Sequence, residues 1–265
     1  MRLLPLLACL LSTSAIAYAQ SLCLDRPIHF AHYEFGLIYA EGKGGIDDDV
    51  QKELARRSGC AFKTTLQPRA RTWFELESGS VDMAGSGVQT PARDAFAWFE
   101  HYVIEVNQVV IGPKVPAQVR NMDQFIATPA LTIGGVRSFS YGSYYDRYVK
   151  LLDAQNRFYN AADSRMVYQM FDRGRFDIFI TSQFLSQFYF RELKIPIAKR
   201  IENWDPGSGT PSGLVLSKKS FTPEQARGWQ EMIRKMREDG TLRAILAKHL
   251  GKELGAQSIY VPPAK

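Results

Sequence analysis

The chain has 265 residues, 45% hydrophobic and 23% charged, enough for one large domain or for two modest lobes, each with its own core. Its net charge is +6, but Lys and Arg are scattered among acids, which argues against a nucleic-acid surface and reads as solvated exterior. The four histidines, His29, His32, His101 and His249, lack metal-ligand spacing, and no GxSxG or HExxH motif accompanies them, so neither a metal nor a cofactor is expected.

The first residues read as a targeting segment. Arg2 precedes an almost continuously apolar run over residues 3–17, and Ala17-Tyr18-Ala19 supplies the small-x-small pattern of a cleavage site. A signal peptide over residues 1–19 is therefore expected, cut before Gln20, because the run is too short for a permanent membrane span. Leu6-Leu7-Ala8-Cys9 is like a lipoprotein box but leaves too little apolar chain ahead of it. The remaining cysteines, Cys23 and Cys60, stand just before the first and second predicted strands. In an oxidising compartment a disulfide between them is expected if those strands are sheet neighbours.

The elements then follow in order. A short strand is predicted over residues 28–31. Asp49 caps a helix to residue 57, with Val50 and Leu54 on one face and Gly59 as its stop. A strand over 61–66, a helix over 70–77 ended by Ser78-Gly79, and a strand over 81–84 come next. Thr90 caps a short helix opened by Pro91, and the β-branched run 103–111 reads as one long strand. Gly112-Pro113-Lys114-Val115-Pro116 then looks like a crossover. Beyond it lie a strand (131–136), helices (144–156 and 164–173), a strand (176–181) and a helix (182–190). A second breaker cluster spans 206–211, before a strand (214–216) and two C-terminal helices. Trp229, Met232, Ile233 and Met236 share a face of the first of these, which is ordinary core packing.

Alternating strands and helices indicate an α/β fold with largely parallel sheets. Two breaker clusters around a self-contained middle imply a discontinuous first lobe, residues 20–112 and 212–265. The inserted second lobe is 113–211, and two crossovers form the hinge.

Several segments carry a resemblance. Gly45-Ile46-Asp47-Asp48-Asp49-Val50 resembles a G-[IF]-D-x-D-[LV] motif, and residues 76–82, LESGSVD, are similar to L-x-x-G-x-x-D. Thr90-Pro91-Ala92-Arg93 matches T-x-x-R, Gly174-Arg175-Phe176-Asp177 matches G-R-x-D, and Asp239-Gly240-Thr241 resembles D-G-T. In this order and spacing they resemble the bacterial extracellular solute-binding proteins, family 3, of the polar amino-acid type. The resemblance implies a type II periplasmic-binding-protein fold, a small polar solute trapped between lobes, and delivery by a periplasmic monomer to an inner-membrane ABC permease.

It also implies site residues. Arg93 takes the position that grips the ligand carboxylate, chemistry suited to a planar guanidinium fork. Ser86 and Gly87 match a stretch offering a hydroxyl and main-chain groups, though Val88 replaces a second serine-like position, and Ser86 reads equally as a turn hydroxyl. Ser138, Ser140 and Tyr141 fall on a loop at a helix start, a place suited to anions. Ser182 stands where the amino-acid binders carry an aspartate for the ammonium. Either Glu34 substitutes for that aspartate or the ligand is not a standard α-amino acid. Tyr33, Phe35 and Tyr39 lie where the family stacks a ring on its ligand. Arg71, in a Pro68-Arg69-Ala70-Arg71 segment similar to a P-x-x-R of some relatives, either reaches the cleft or lies on the surface. Two rival readings stay open: a small-acid lyase using His32 and Glu34 as acid and base, and a periplasmic sensor or accessory protein.

Overall fold

The structure is a computed structural model that describes residues 22–196, 200–207 and 209–263; the expected signal segment lies outside them. The first part of the chain runs β1 (Ile28–His32), α1 (Ile46–Ser58), β2 (Phe62–Leu66), α2 (Arg69–Ser78), β3 (Met83–Val88), α3 (Pro91–Asp94) and β4 (Ala97–Glu105). The middle holds β5 (Asn107–Ile111), α4 (Met122–Ile126), β6 (Ile133–Val136), α5 (Ser143–Ala154), β7 (Phe158–Ala161), α6 (Ser164–Asp172), β8 (Ile178–Ser182), α7 (Gln183–Glu192) and β9 (Arg200–Glu202). The chain closes with β10 (Thr210–Ser217), α8 (Pro223–Glu238), α9 (Thr241–Leu250) and α10 (Lys252–Gln257).

Two five-stranded sheets result, ordered β2-β1-β3-β10-β4 and β7-β6-β8-β5-β9. Each is mixed. β1 is parallel to β2 and β3, whereas β10 runs antiparallel to β3 and β4. The second sheet repeats that scheme, with β6 parallel to β7 and β8 and β5 antiparallel to β8 and β9. The expectation of largely parallel sheets is corrected to this extent: each crossover strand inserts against the grain of the lobe it enters.

The crossover itself lies elsewhere than expected. The apolar run 103–111 is two strands, cut at Val106: β4 pairs with β10, and β5 pairs with β8 and β9. The first lobe therefore yields to the second at residue 106, and Gly112 to Pro116 turn the chain inside the second lobe. Val115 and Val119 there join Met122 and Phe125 in that lobe's core. Composition hides such a break, because β-branched residues suit both strands equally and only their partners change. The return falls between Glu202 and Thr210, so Thr210 and Pro211 belong to the first sheet.

Local signals account for most boundaries. Gly59 ends α1 in the left-handed region (φ 70°) that glycine enters without strain. Thr222 and Gln225 form a reciprocal capping box at α8 with Pro223 in the first turn. Trp229 on that helix is fully buried, its ring 6.0 Å edge-on from Phe62. β1 and β2 are sheet neighbours, with Ile28 opposite Phe62, and Cys23 is bonded to Cys60 across a Cα separation of 5.2 Å.

Candidate functional site

The ends of β1 and β3 in the first lobe face the β6–α5 loop and the start of α6 in the second. Between them lies a cavity of about 470 Å³, lined by Tyr33, Glu34, Phe35 and Arg69 from one side and Phe139 and Arg165 from the other.

Arg69 opens α2 directly after Pro68. Arg69, Thr72, Trp73 and Leu76 follow i, i+3, i+4, i+7 spacing, so the arginine shares the buried stripe of an otherwise core-facing helix. Its side chain is 3% exposed. The guanidinium carbon lies 4.1 Å from the Tyr33 ring centre and 4.3 Å from that of Phe139, a cation held between rings of both lobes. Nη2 donates to the Ser86 carbonyl at 3.2 Å, while Nε and Nη1 complete no hydrogen bond of ordinary geometry. Arg71, two positions on, points the other way: it is exposed and pairs with Glu75 at 2.7 Å one turn along the helix. The candidate arginine of this helix is thus Arg69, in place of the expected Arg71, and its periodicity with Thr72, Trp73 and Leu76 is the signal that could have found it.

Arg93 lies in α3, capped by Thr90. Its guanidinium stacks on Trp73 at 3.7 Å, donates through Nη1 to the Val88 carbonyl at 2.7 Å, and reaches across the gap to the Ser138 carbonyl at 2.8 Å. Burial pulls its pKa down to about 9, and the positive charge of Arg69 adds to that pull. Two first-lobe arginines therefore meet consecutive residues, Ser138 and Phe139, of one second-lobe loop.

Other expected site residues are engaged within the protein. The Ser86 hydroxyl donates to Asp47 at 2.8 Å, and the Tyr102 hydroxyl donates to the same carboxylate oxygen. Burial raises the Asp47 pKa to about 6 against those two bonds. Ser86 offers the cleft only its carbonyl, which also accepts from the Tyr33 hydroxyl at 3.0 Å. A Cβ on Gly87 would lie 2.1 Å from the Val215 side chain, so packing demands this glycine. At the start of α5 the Ser140 hydroxyl and, at 2.7 Å, the Tyr141 N–H donate to Asp146 in the helix's own first turn. The expected anion site at this helix start is filled by that carboxylate. The Tyr141 hydroxyl accepts from Val136 N–H at 2.9 Å, and the ring belongs to the second-lobe core.

Ser182 is buried at the end of β8, opposite Asn107 on β5, and its hydroxyl completes no hydrogen bond of ordinary geometry. Beside it is a carboxylate that sequence reasoning missed. Glu105 ends β4, is buried, accepts from Ser212 at 3.2 Å, and is steadied by the nearby Ser182 and Arg69. Burial outweighs these and raises its pKa to about 7. Glu34 accepts from Glu41 N–H at 3.0 Å and faces Arg165 at 3.9 Å, and burial raises its pKa. His32 stacks on Tyr39 at 4.1 Å with neither ring nitrogen bonded, and burial lowers its pKa to about 4. It forms no acid–base pair with Glu34, and Tyr39 covers the imidazole instead of a ligand. Phe35 meets Phe139 across the lobes, ring centres 5.2 Å apart. Among the described residues no three His, Cys, Asp or Glu side chains are grouped to hold a metal ion.

Glu105 carries a pH signature. A carboxyl raised from an ordinary value near 4.3 to about 7 keeps its proton longer in the folded state, so its contribution to stability falls as pH rises through that window. Asp47 acts in the same direction up to about pH 6. His32, lowered to about 4, acts oppositely, but only below its unfolded value near 6.5. Between pH 6.5 and 8 the Glu105 contribution stands alone in this group. Replacing Glu105 with glutamine is expected to flatten the fall in melting temperature over that range and to raise it at pH 8 by about 2–4 °C. Melting curves at pH 6.5, 7 and 8 check this; parallel curves for the two proteins contradict it.

Solved structures share this architecture. An arginine-, lysine-, histidine-binding protein, ArtJ, from Geobacillus stearothermophilus superposes with a TM-score of 0.69 at 19% identity, covering 88% of this chain and 99% of that one. An ancestral arginine-binding protein bound to glutamine gives 0.67 at 17% identity, over 85% and 98%. A histidine kinase sensor domain similar to periplasmic binding proteins gives 0.66 at 14%, over 89% and 98%. No curated protein matches the chain by sequence. The fold is the two-lobed type II periplasmic-binding-protein fold. The model of one family matches residues 32–252, most of the chain, and with it the two-lobed fold and the interlobe cleft are accounted for: the chain belongs to the bacterial extracellular solute-binding proteins, family 3.

Proposed function

We infer that this protein is exported to the periplasm and there binds a small polar solute bearing a carboxylate, which it presents to an inner-membrane ABC permease. Arg93 is the anchor in this reading, and the single observation that carries it is the reach of its guanidinium across the gap to the Ser138 carbonyl. A main-chain carbonyl is a modest partner for a half-buried cation. A solute carboxylate entering between the lobes offers that fork two charged acceptors in its place, each bond contributing about 1.5–3 kcal/mol. Ser140 and Tyr141 are turned inward to Asp146, so the second lobe supplies shape and carbonyls, and the first lobe supplies the charge.

A thermal-shift screen of carboxylate-bearing solutes tests the reading. A hundredfold excess over Kd stabilises by about 2.7 kcal/mol, readily seen as a higher melting temperature. No shift with any carboxylate, alongside a clear shift with an uncharged solute, contradicts it. Sensing is the second reading, supported by the likeness to a histidine kinase sensor domain. Capture of the loaded protein by permease subunits from membrane extracts favours transport; capture by a kinase favours sensing.

A further inference from the structure

Two buried arginines serve as each other's control. Arg157, 8% exposed, uses all three guanidinium nitrogens: Nε donates to the Leu131 carbonyl, Nη1 to the Ile126 carbonyl, and Nη2 to those of Phe125 and Thr128, at 2.8–3.1 Å. That is a structural arginine gathering the carbonyls at the end of α4 and the turn beyond it. Arg69 is buried more deeply, yet Nε and Nη1 complete no hydrogen bond of ordinary geometry, the Tyr33 hydroxyl being near enough to the guanidinium only for a looser one. Leaving buried donors of a charged group unmade is costly, and two such donors on one guanidinium beside a cavity point to a partner that enters it. The side chain lines the interlobe cavity. Among the described residues it has no ion-pair partner, although the Asp47 and Glu105 carboxylates are near enough to feel its charge.

We propose that Arg69 is a second anion anchor in this cleft, and that the solute is a small dicarboxylate with one acid on Arg93 and the other on Arg69. The assignment rests on the interlobe reading given above and specifies its ligand. Four further observations support it. Arg93 lies outside the lining of the 470 Å³ cavity, but it and Arg69 touch adjacent residues, Ser138 and Phe139, and are near enough for the charge of Arg69 to lower the Arg93 pKa, so a short diacid is the ligand that would join them. Ser182 removes the aspartate expected at the end of β8 for a ligand ammonium, and the second-lobe carboxylates that line the cavity are engaged, Asp163 as the cap of α6 and Glu192 with Lys43; Glu105, raised by burial to about 7, is a weak substitute. Of the carboxylates lining the cavity, Glu34 and Glu192 pair with Arg165 and Lys43, Asp163 caps α6 and Glu41 is exposed, while the unbonded donors are on Arg69. Tyr33 and Phe139 sandwich the guanidinium with one ring from each lobe, so closing the lobes fixes its orientation.

The test is calorimetric titration of the purified mature protein with linear diacids from malonate to adipate, each beside its own monoamide. Wild type is expected to bind at least one diacid at least tenfold more tightly than the monoamide. In Arg69→Gln that preference should vanish, and in Arg69→Lys it should return in part, because a point charge replaces a planar fork. A merely structural role would weaken acid and amide alike and leave their ratio unmoved. Circular dichroism reports folding; should Arg69→Gln unfold, Arg69→Lys and the wild-type acid-to-amide ratio carry the comparison. Equal affinity for acid and amide in wild type, a preference surviving in Arg69→Gln, or no diacid binding at all overturns the assignment. Binding abolished by Arg93→Ala but indifferent to Arg69 removes the second anchor and keeps the cleft; binding indifferent to both arginines removes the cleft reading itself.

Discussion

Replacing Arg93 with alanine weakens solute binding by about 2–5 kcal/mol, roughly a 30- to 5000-fold rise in Kd, while the protein stays folded. The size follows from the site. The guanidinium is half-buried between the lobes, stacked on Trp73, and its removal leaves a solute carboxylate enclosed without its charged partner. The fold survives because Arg93 bonds only two main-chain carbonyls, those of Val88 and Ser138, and the short α3 keeps its Thr90 cap. Arg71→Ala is the matched control. Its side chain is exposed and paired with Glu75, so it is expected to leave affinity within about twofold. Titration calorimetry with any solute found in the screen measures both; an unchanged Kd in Arg93→Ala contradicts the anchor role.

Loss of the Cys23–Cys60 bond is expected to destabilise the fold by about 3–4 kcal/mol. The bond spans a sequence separation of 37 residues, and the entropy of closing a loop of that length in the unfolded chain gives this magnitude. The bridge also fixes the segment before β1, where Arg26 makes a paired contact with the buried Asp82 at 2.6 and 2.9 Å. The double variant Cys23→Ala, Cys60→Ala should melt on the order of 10 °C below wild type. Urea unfolding with and without reductant provides the check on wild type itself. Coincident midpoints in the two conditions contradict the expected contribution.

Much of this molecule is legible in its sequence, for reasons that are local. Gly59, Thr90-Pro91 and Thr222-Pro223 announce helix ends because each satisfies backbone geometry within a few residues. The cysteine pair is legible because it flanks two strands that a short helical crossover makes neighbours. What escapes is decided by partners distant in sequence. Val106 has nothing in its composition to mark it as the hinge; only the change of neighbours from β10 to β8 and β9 does so. Ser140 and Tyr141 stand at a helix start as expected, but Asp146 turns back to occupy it, and a carboxylate in a first turn reads in sequence as ordinary dipole matching. Glu105 ends an amphipathic strand and looks like an edge residue until β10 covers it. Arg69 was within reach: helical periodicity places it with Trp73 and Leu76 and turns Arg71 to solvent, and a motif match two residues out of phase obscured that.

The account depends on a solute held between the lobes by positive charge from the first of them. A crystal structure with the best solute from the screen tests this most directly. The predicted result is a solute carboxylate about 2.7–2.9 Å from the Arg93 guanidinium, with the bond to the Ser138 carbonyl given up or shared. A solute bound elsewhere, with Arg93 still holding that carbonyl as it does here, would contradict it.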